Sequence, residues 1–203
     1  MDARIDQLAP GKRGGCNTWL VGDTDEVIVV DPGRDAEAVL AAVSDREILA
    51  VICTHGHPGH VAAALEVAAR DDAPVALHPR DVLAWREAHR GREPDIDMAE
   101  GGIFEVAGVA LEVIHTPGHS PGSVSLYCEQ LGVVFSGDAL TADGPAPHAG
   151  EYPDFPGQLS AIGQELLTLP DETRVLPGHG EETTVETAGK LFDSWVAAGP
   201  LPD

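Results

Sequence analysis

The stretch Thr54-His-Gly-His-Pro-Gly-His60 places three histidines directly after an apolar run at residues 48–53. The run has the composition of a strand that is covered on both faces. Neutral imidazole is a preferred ligand of zinc and of non-haem iron. His55 and His57, one residue apart, can face one ion, whereas His60 begins the next helix and points into a neighbouring position. The stretch therefore predicts a metal site at the carboxyl end of a buried strand.

Three further groups with ligand chemistry lie downstream, each just after a predicted strand. His119 follows Thr-Pro-Gly, Asp138 follows Ser-Gly, and His179 lies between two glycines. Glycine beside a ligand suits tight loops in which the backbone comes close to an ion. With His55 and His57, His119 completes three imidazoles, the catalytic zinc arrangement that leaves one position for water.

A second ion is predicted beside the first. His60 and His179 would hold it, Asp138 could bridge the two ions, and Asp138 and His179 are the predicted catalytic residues. Two ions about 3.5–4 Å apart hold a hydroxide that attacks a carbonyl or phosphoryl centre at neutral pH. The complete predicted ligand set is His55, His57, His60, His119, Asp138 and His179.

Composition limits the classes of partner and compartment. The chain has 203 residues, enough for one domain over residues 1–203 with a sizeable core. Its net charge of -22 argues against nucleic acid and anionic membranes as partners, because proteins bind both through clustered lysine and arginine side chains. Cys16, Cys53 and Cys128 are scattered and form no disulfide framework, and no signal peptide or membrane span is visible, so we expect a cytoplasmic protein. Scarce lysine beside abundant alanine, glycine and arginine indicates a high-GC bacterial source.

Short apolar strands alternate with amphipathic helices along the chain. Strands are predicted at residues 19–21, 27–30, 48–53, 75–77, 103–106, 109–114, 124–127, 132–135 and 175–176. Helices are predicted from about Asp35, after His60, from Pro79 through Trp85, from Asp154, and after a capping box formed by Thr183 and Glu186. Residues 91–102 and 144–156 are predicted loops. Each half has strands first and helices after, which predicts an α/β fold of two packed sheets covered by helices.

These motifs, taken in order, resemble those of the metallo-β-lactamase superfamily, whose signature is H-x-H-x-D-H followed by a downstream His, a bridging Asp and a last His. The segments that carry the match are Val30-Asp-Pro-Gly33, Thr54 to His60, His115-Thr-Pro-Gly-His-Ser-Pro-Gly-Ser123, Ser136-Gly-Asp138 and Pro177-Gly-His179. The third segment most resembles the glyoxalase II-like, hydroxyacylglutathione hydrolase-like thioester hydrolases. The resemblance implies an αββα sandwich of two mixed sheets flanked by helices, with zinc as cofactor in one or two copies, or iron instead.

Gly59 departs from the family pattern, in which this position is an Asp that ligates the second metal and helps to orient or deprotonate the attacking water. Glycine has no side chain, so that ligand is lost. One alternative is a weaker second ion held by His60, His179 and Asp138. The other is a chain that keeps only the first site.

Three functions are compatible with this resemblance. The first is a hydrolase of thioesters or related small acyl substrates, thiol-conjugated or carrier-linked, which a metal-bound hydroxide attacks. The second is a mononuclear iron enzyme that resembles the persulfide dioxygenases, with two histidines and Asp138 as a facial triad. The third, favoured by the loss at Gly59, is a lyase or cyclase of a biosynthetic pathway, or a metal-binding protein without turnover. Residues 91–102 and 144–156 are expected to set substrate specificity, with Tyr152, Phe155 and Trp85 as apolar walls and Glu151 as a compensating carboxylate.

Several polar residues outside the ligand set have ordinary interpretations. His78 and His89 are expected to be surface or packing residues, and His115 a core or supporting histidine. His148 is expected to be exposed to solvent, within reach of a substrate. Asp31 is either an acceptor near the site or a turn former before Pro-Gly.

Overall fold

The computed structural model describes residues 3–10, 15–146 and 154–199. The first sheet consists, in spatial order, of β1 (Arg4–Leu8), β2 (Thr18–Gly22), β3 (Glu26–Val30), β4 (Glu47–Ile52), β5 (Val75–Leu77) and β6 (Ile96–Asp97). The second consists of β12 (Thr183–Thr184), β11 (Arg174–Pro177), β10 (Val133–Gly137), β9 (Val124–Cys128), β8 (Val109–His115) and β7 (Ile103–Val106). Parallel and antiparallel pairs occur in both, so both sheets are mixed.

Helices cover the outer face of each sheet. They are α1 (Ala36–Val43), α2 (Pro58–Val61), α3 (Ala64–Ala68), α4 (Val82–Ala88), α5 (Phe155–Gln164) and α6 (Val185–Ala198). Apolar side chains of α1, α3 and α4 pack with those of the first sheet, and side chains of α5 and α6 pack with those of the second. No helix in the described ranges has the length and apolar content needed to cross a membrane.

The main core lies between the sheets. Inward-facing side chains alternate along the strands, so Ile28 and Ile52 of the first sheet share one cluster with Leu126 and Phe135 of the second. Trp19 packs edge-on against Phe135, with ring centroids 6.0 Å apart. Each fully buried side chain of this size contributes about 1.5–3 kcal/mol. The predicted α/β sandwich is therefore confirmed.

Some local predictions are wrong. The segment at residues 91–102 is not a continuous loop, because Ile96 pairs in parallel with Ala76 and makes β6. Thr183 is not the helix cap either: it lies in β12, and Thr184 caps α6 by accepting a hydrogen bond from the Thr187 N–H at 3.2 Å. The single helix predicted after the histidine-rich stretch is two short helices, α2 and α3. Strand β1 was not predicted from the sequence.

The strands that precede the metal-ligand candidates all point toward one edge of the sandwich. Strand β3 runs parallel to β4, β10 runs parallel to β11, and β8 is antiparallel to β9, which is antiparallel to β10. Their carboxyl ends therefore meet, as expected for loops that build a site. These ends lead into Asp31, the Thr54 to His60 stretch, His119, Asp138 and His179.

Candidate metal centre

The histidine-rich loop after β4 is anchored in the core. Cys53, the first residue beyond the strand, is fully buried, as the sequence predicted. Pro58 begins α2, where a missing N–H costs nothing, and the helix carries His60 in its only full turn. Both His55 and His60 are buried, whereas His57 is partly exposed.

His57 and His119 meet although their loops follow strands of opposite sheets. Nδ1 of His57 lies 3.1 Å from Nε2 of His119. Two nitrogen ligands of one tetrahedral zinc ion lie about 3.3 Å apart, since each Zn–N bond is about 2.0–2.1 Å long. Ligand atoms of His55, His57 and His119 all lie within 4.8 Å of one another. The predicted three-imidazole group therefore assembles with distances suited to one ion.

Asp138 lies between this group and His60. Its Oδ2 is 3.4 Å from Nε2 of His60, 3.5 Å from Nε2 of His119 and 4.0 Å from Nε2 of His55. His55, His60 and Asp138 make a second group whose ligand atoms lie within 4.8 Å of one another. One carboxylate thus faces both groups, which is the position of a bridging ligand.

The buried ring nitrogens fit a divalent cation. Nε2 of His55 and Nε2 of His60 are buried without a hydrogen-bond partner among the described residues. The other nitrogen of each ring is held by the protein, at 3.2 Å from Thr54 Oγ1 and 3.0 Å from Asp31 Oδ2. An unsatisfied buried polar atom costs about 1–3 kcal/mol, which a cation would relieve. Fixing one nitrogen and offering the other is how proteins orient metal-binding imidazoles.

His179 lies at the open side of the cluster. Its Nδ1 is 2.8 Å from Oδ1 of Asp138, and its ring centroid is 5.1 Å from that of His60. The side chain is 47% exposed, whereas that of His60 is 2% exposed. His179 therefore joins the site through Asp138, on the side of the predicted second ion and next to solvent.

The electrostatics of the site favour bound cations. Burial lowers the pKa of His55 well below its usual range and lowers that of His57. For His60 burial acts in the same direction, but Cys16, Asp138 and Asp31 outweigh it and raise the pKa well above its usual range. Burial raises the pKa of Asp138, yet His60 and the hydrogen bond from His179 hold it well below its usual range. The cluster therefore combines the ionised carboxylate of Asp138 with imidazoles that stay neutral, those of His55 and His57, and with the imidazole of His60, which readily takes up a proton.

Two glycines near the cluster differ in how much space surrounds them. A Cβ at Gly178 would lie 2.5 Å from Oδ1 of Asp138 and 2.6 Å from Cε1 of His60, so only glycine allows this backbone to pass so close to the cluster. A Cβ at Gly59 would meet nothing within 4 Å. Gly59 is thus not required by packing, and the space that a family Asp would occupy is open.

Asp31 performs both of the roles considered for it. Its φ of 50° is a left-handed turn conformation. Its carboxylate accepts hydrogen bonds from the backbone N–H and the hydroxyl of Thr54, each at 2.7 Å, and contacts His60. The interpretation as an acceptor near the site is confirmed.

The remaining histidines lie outside both ligand groups. His115 contacts the Pro121 carbonyl through Nε2 at 3.0 Å and stacks on His78, with ring centroids 4.6 Å apart. His89 packs against Trp85 at 4.1 Å. Trp85 is fully buried, so the prediction that it forms an apolar wall for substrate is wrong. The predictions for His148, Glu151 and Tyr152 lie outside the described residues.

Sequence patterns missed two buried polar residues that support the loops. Gln158, on the first turns of α5, donates from Nε2 to the carbonyls of Asp138 and Ala139 at 3.0 and 2.9 Å. Asp81 lies just before α4 and is 2% exposed. Neither belongs to a motif, because each contacts its partners only through the folded chain.

Comparison with known proteins gives the same assignment of fold. The family described as the metallo-beta-lactamase superfamily matches residues 11–179. Probable metallo-hydrolase YqgX of Bacillus subtilis is 34% identical over 189 residues, which cover 84% of this chain and 88% of that protein. Hydroxyacylglutathione hydrolase GloC of Haemophilus influenzae is 28% identical over 185 residues, covering 83% of this chain and 87% of that protein.

Solved structures share the architecture. BLEG-1 B3 metallo-beta-lactamase superposes with a TM-score of 0.81 and 29% identity, covering 94% of this chain and 97% of that chain. TTHA1623, solved in a di-iron-bound form, superposes with a TM-score of 0.80 and 31% identity, covering 91% and 97%. The two mixed sheets flanked by helices are the fold of these proteins.

Proposed function

This chain belongs to the metallo-β-lactamase superfamily, and we propose that it is a metal-dependent hydrolase of thioesters or related small acyl substrates. A bound divalent ion lowers the pKa of water and polarises a carbonyl, which is the chemistry that hydrolysis needs. Zinc is the proposed metal, with His55, His57 and His119 as ligands of the first ion and His60, Asp138 and His179 as ligands of a second.

One observation carries the proposal: the cluster is buried on one side and open on the other. His55, His60 and His119 are buried, whereas His179 is 47% exposed. Structural zinc sites are closed by four protein ligands, while catalytic sites keep an open position. The half-exposed ring of His179 borders the opening, where it contacts an incoming substrate. Ionised Asp138 holds that ring through Oδ1, and its Oδ2 faces the cluster, where it would bind the ions.

The lack of a free carboxylic acid beside the cluster favours a thiol leaving group. Among the described residues, the other buried carboxylates near the cluster are Asp31 and Asp81, and each already accepts three hydrogen bonds. Neither is placed to protonate an amine or an alkoxide as it leaves. A thiol has a pKa of about 8.5 and departs as the thiolate without that help. Thioesters therefore suit this site better than amides or lactams do.

The similarity to GloC supports the same substrate class, because that protein is named for hydrolysis of a hydroxyacyl-glutathione. We propose that the substrate is a small molecule of this type, free or carrier-linked, and that the enzyme acts in the cytoplasm. The net charge of -22 argues against nucleic acid as a partner.

An iron-dependent oxidation, of the persulfide dioxygenase type, is the second candidate. His55, His60 and Asp138 are a two-histidine, one-carboxylate set, which is typical of non-haem iron oxygenases. TTHA1623 was solved with two iron ions. Elemental analysis of the protein purified without added metal separates the two candidates, since hydrolysis predicts zinc and oxidation predicts iron.

The proposed hydrolysis is tested with matched substrates. The zinc-loaded chain is given a hydroxyacyl-glutathione thioester, the corresponding oxygen ester and a β-lactam, and product release is measured. We expect the thioester to be cleaved fastest. Asp138→Asn should lower the rate by about a hundredfold or more, because it removes the charge that faces the ion. Asp45→Asn, a change of an exposed carboxylate outside the site, should not alter it. Preferred cleavage of the β-lactam would contradict the proposal.

A further inference from the structure

Asp81 is a buried carboxylate in the segment that joins β5 to α4. It ends a 3-10 turn, Pro79–Asp81, and occupies the N-cap position of α4. An Asp at this position ordinarily accepts a hydrogen bond from the first turn of its own helix. Here the side chain makes no such bond. It turns away from its helix and into the region between two ligand loops.

The carboxylate accepts hydrogen bonds from both loops. Oδ2 accepts from the backbone N–H of Gly56 at 2.8 Å, between His55 and His57. The same oxygen accepts from the hydroxyl of Ser120 at 2.6 Å, next to His119. Oδ1 accepts from the backbone N–H of Gly122, also at 2.6 Å.

Asp81 lies close to both ligand loops. A Cβ at Gly122 would lie 2.6 Å from Oδ1 of Asp81, so a side chain there would displace the carboxylate. The hydroxyl of Ser120 also lies 2.8 Å from that of Ser123, which places Asp81 in a buried polar network. The two loops that this network joins come from opposite sheets and carry the three imidazoles of the first ion group.

We propose that Asp81 is a positioning residue of the metal centre, whose carboxylate sets the spacing between His57 and His119. The inference rests on the proposed metal site but not on the identity of the substrate. Without this acceptor, two backbone N–H groups and one hydroxyl would lose their buried partner, and the loops would separate to reach water. The 3.1 Å approach of the His57 and His119 nitrogens depends on both loops keeping their place.

The test measures metal binding directly. Cobalt(II) is titrated into the metal-free full-length chain, and its affinity and ligand-field absorption spectrum are recorded for wild type, Asp81→Asn and Asp81→Ala. Mutation of the residues that support metal ligands typically lowers metal affinity by about 10–100-fold. We expect a loss of that size and an altered spectrum for Asp81→Ala. Asp81→Asn, which keeps one acceptor oxygen, should lose less.

Asp71→Asn is the matched control. Asp71 also accepts a backbone N–H, that of Ile48 at 2.8 Å, but near the start of β4, at the end of the strand opposite to the ligand loop. It should change the melting temperature of the metal-free chain without changing cobalt affinity. If Asp81→Asn and Asp81→Ala likewise changed the melting temperature but not the cobalt affinity, Asp81 would have a purely structural role and the proposal would be overturned.

Ser120→Ala keeps the test decisive if Asp81→Ala does not fold. This variant removes one of the three hydrogen bonds to Asp81 and leaves the carboxylate in place. Weaker cobalt binding by Ser120→Ala and Asp81→Asn supports the inference, and unchanged binding by both refutes it. A chain that binds cobalt as expected but hydrolyses no thioester would refute the proposed function alone.

Discussion

Asp31 and His60 form a buried carboxylate–imidazole pair in which Oδ2 of Asp31 lies 3.0 Å from Nδ1 of His60. The contact directs Nε2 of His60 toward Asp138, 3.4 Å away. Asp31 also holds Thr54, the first residue of the histidine-rich loop, through two hydrogen bonds. One carboxylate at the end of β3 therefore fixes both the start of the loop and the ring at its end.

Replacing Asp31 should weaken metal binding more than a change of fold stability alone would explain. Asp31→Asn keeps the left-handed backbone conformation, which Asn tolerates, but presents an amide N–H₂ to existing donors. We expect metal affinity to fall by about 10–100-fold and the free energy of unfolding to fall by about 1–3 kcal/mol. Calorimetric zinc titration and urea denaturation measure the two quantities.

Asp72→Asn is the control for the Asp31 variant. Asp72 has the same type of backbone conformation, with φ 55°, and is exposed outside the site. It should leave both quantities unchanged. Equal zinc affinity in Asp31→Asn and Asp72→Asn would show that the pair does not orient His60.

Gly59→Asp should increase occupancy of the second ion position. The Cβ meets no atom within 4 Å, so the new carboxylate enters open space beside His60. We expect the ratio of metal to protein after dialysis to rise, with Gly59→Ala as a control that adds the Cβ but no ligand. A hydrolase should also gain rate. A chain adapted to lyase or cyclase chemistry should instead lose its native reaction. Unchanged metal content in Gly59→Asp would show that the open space at residue 59 is not part of the second ion position.

Gly178→Ala should damage the cluster through steric overlap. The new Cβ would lie 2.5 Å from Oδ1 of Asp138, which must then move away from the imidazoles. Overpacking of this kind costs about 1–3 kcal/mol, and we expect zinc binding to weaken as well. Gly189→Ala, in α6 with open space at its Cβ, should instead stabilise the chain by about 0.5–1 kcal/mol. Urea denaturation that ranks the two variants in the opposite order would contradict the close packing at Gly178.

Metal affinity should rise with pH. In the metal-free chain burial opposes protonation of His60, but Cys16, Asp138 and Asp31 raise its pKa well above the usual value. The protonated ring then contributes stability that is fully present below about pH 6.5 and is lost as the pH rises through the raised pKa. An ion at Nε2 must displace that proton, so zinc affinity at this position should increase about tenfold per pH unit.

Calorimetry in buffers of different ionisation enthalpy measures how many protons the chain releases when it binds zinc. We expect release of about one proton per ion bound at the His60 position near pH 7. The His60→Gln variant should release none there. Zinc binding without proton release in the wild type would mean that His60 is neutral in the metal-free chain.

The candidate ligands could be identified from the sequence because their spacing is local. The spacing of His55, His57 and His60 along one loop, and the glycine beside His179, are visible in the sequence. Periodicity likewise identified most strands, since their apolar side chains face the core. The structure brings these residues to one edge of the sandwich, where two ligand groups share His55 and His179 contacts Asp138.

The supporting residues could not be predicted because their contacts are distant in sequence. Asp81 reaches Gly56 and Gly122 across loops of both sheets, and no pattern near residue 81 indicates this. Strands β1 and β6 are short, and they obtain their conformation from pairing with a neighbour. The sequence predicts Trp85 as a wall of the substrate site, whereas its ring fills the core beneath α4.

The most direct test of the account is thiol release from a hydroxyacyl-glutathione thioester by the full-length chain, measured before chelation, after chelation and after addition of zinc. The account predicts hydrolysis above the uncatalysed rate, its loss when the metal is removed, and its return with zinc. No thiol release by the zinc-loaded chain, from either glutathione or coenzyme A thioesters, would contradict it.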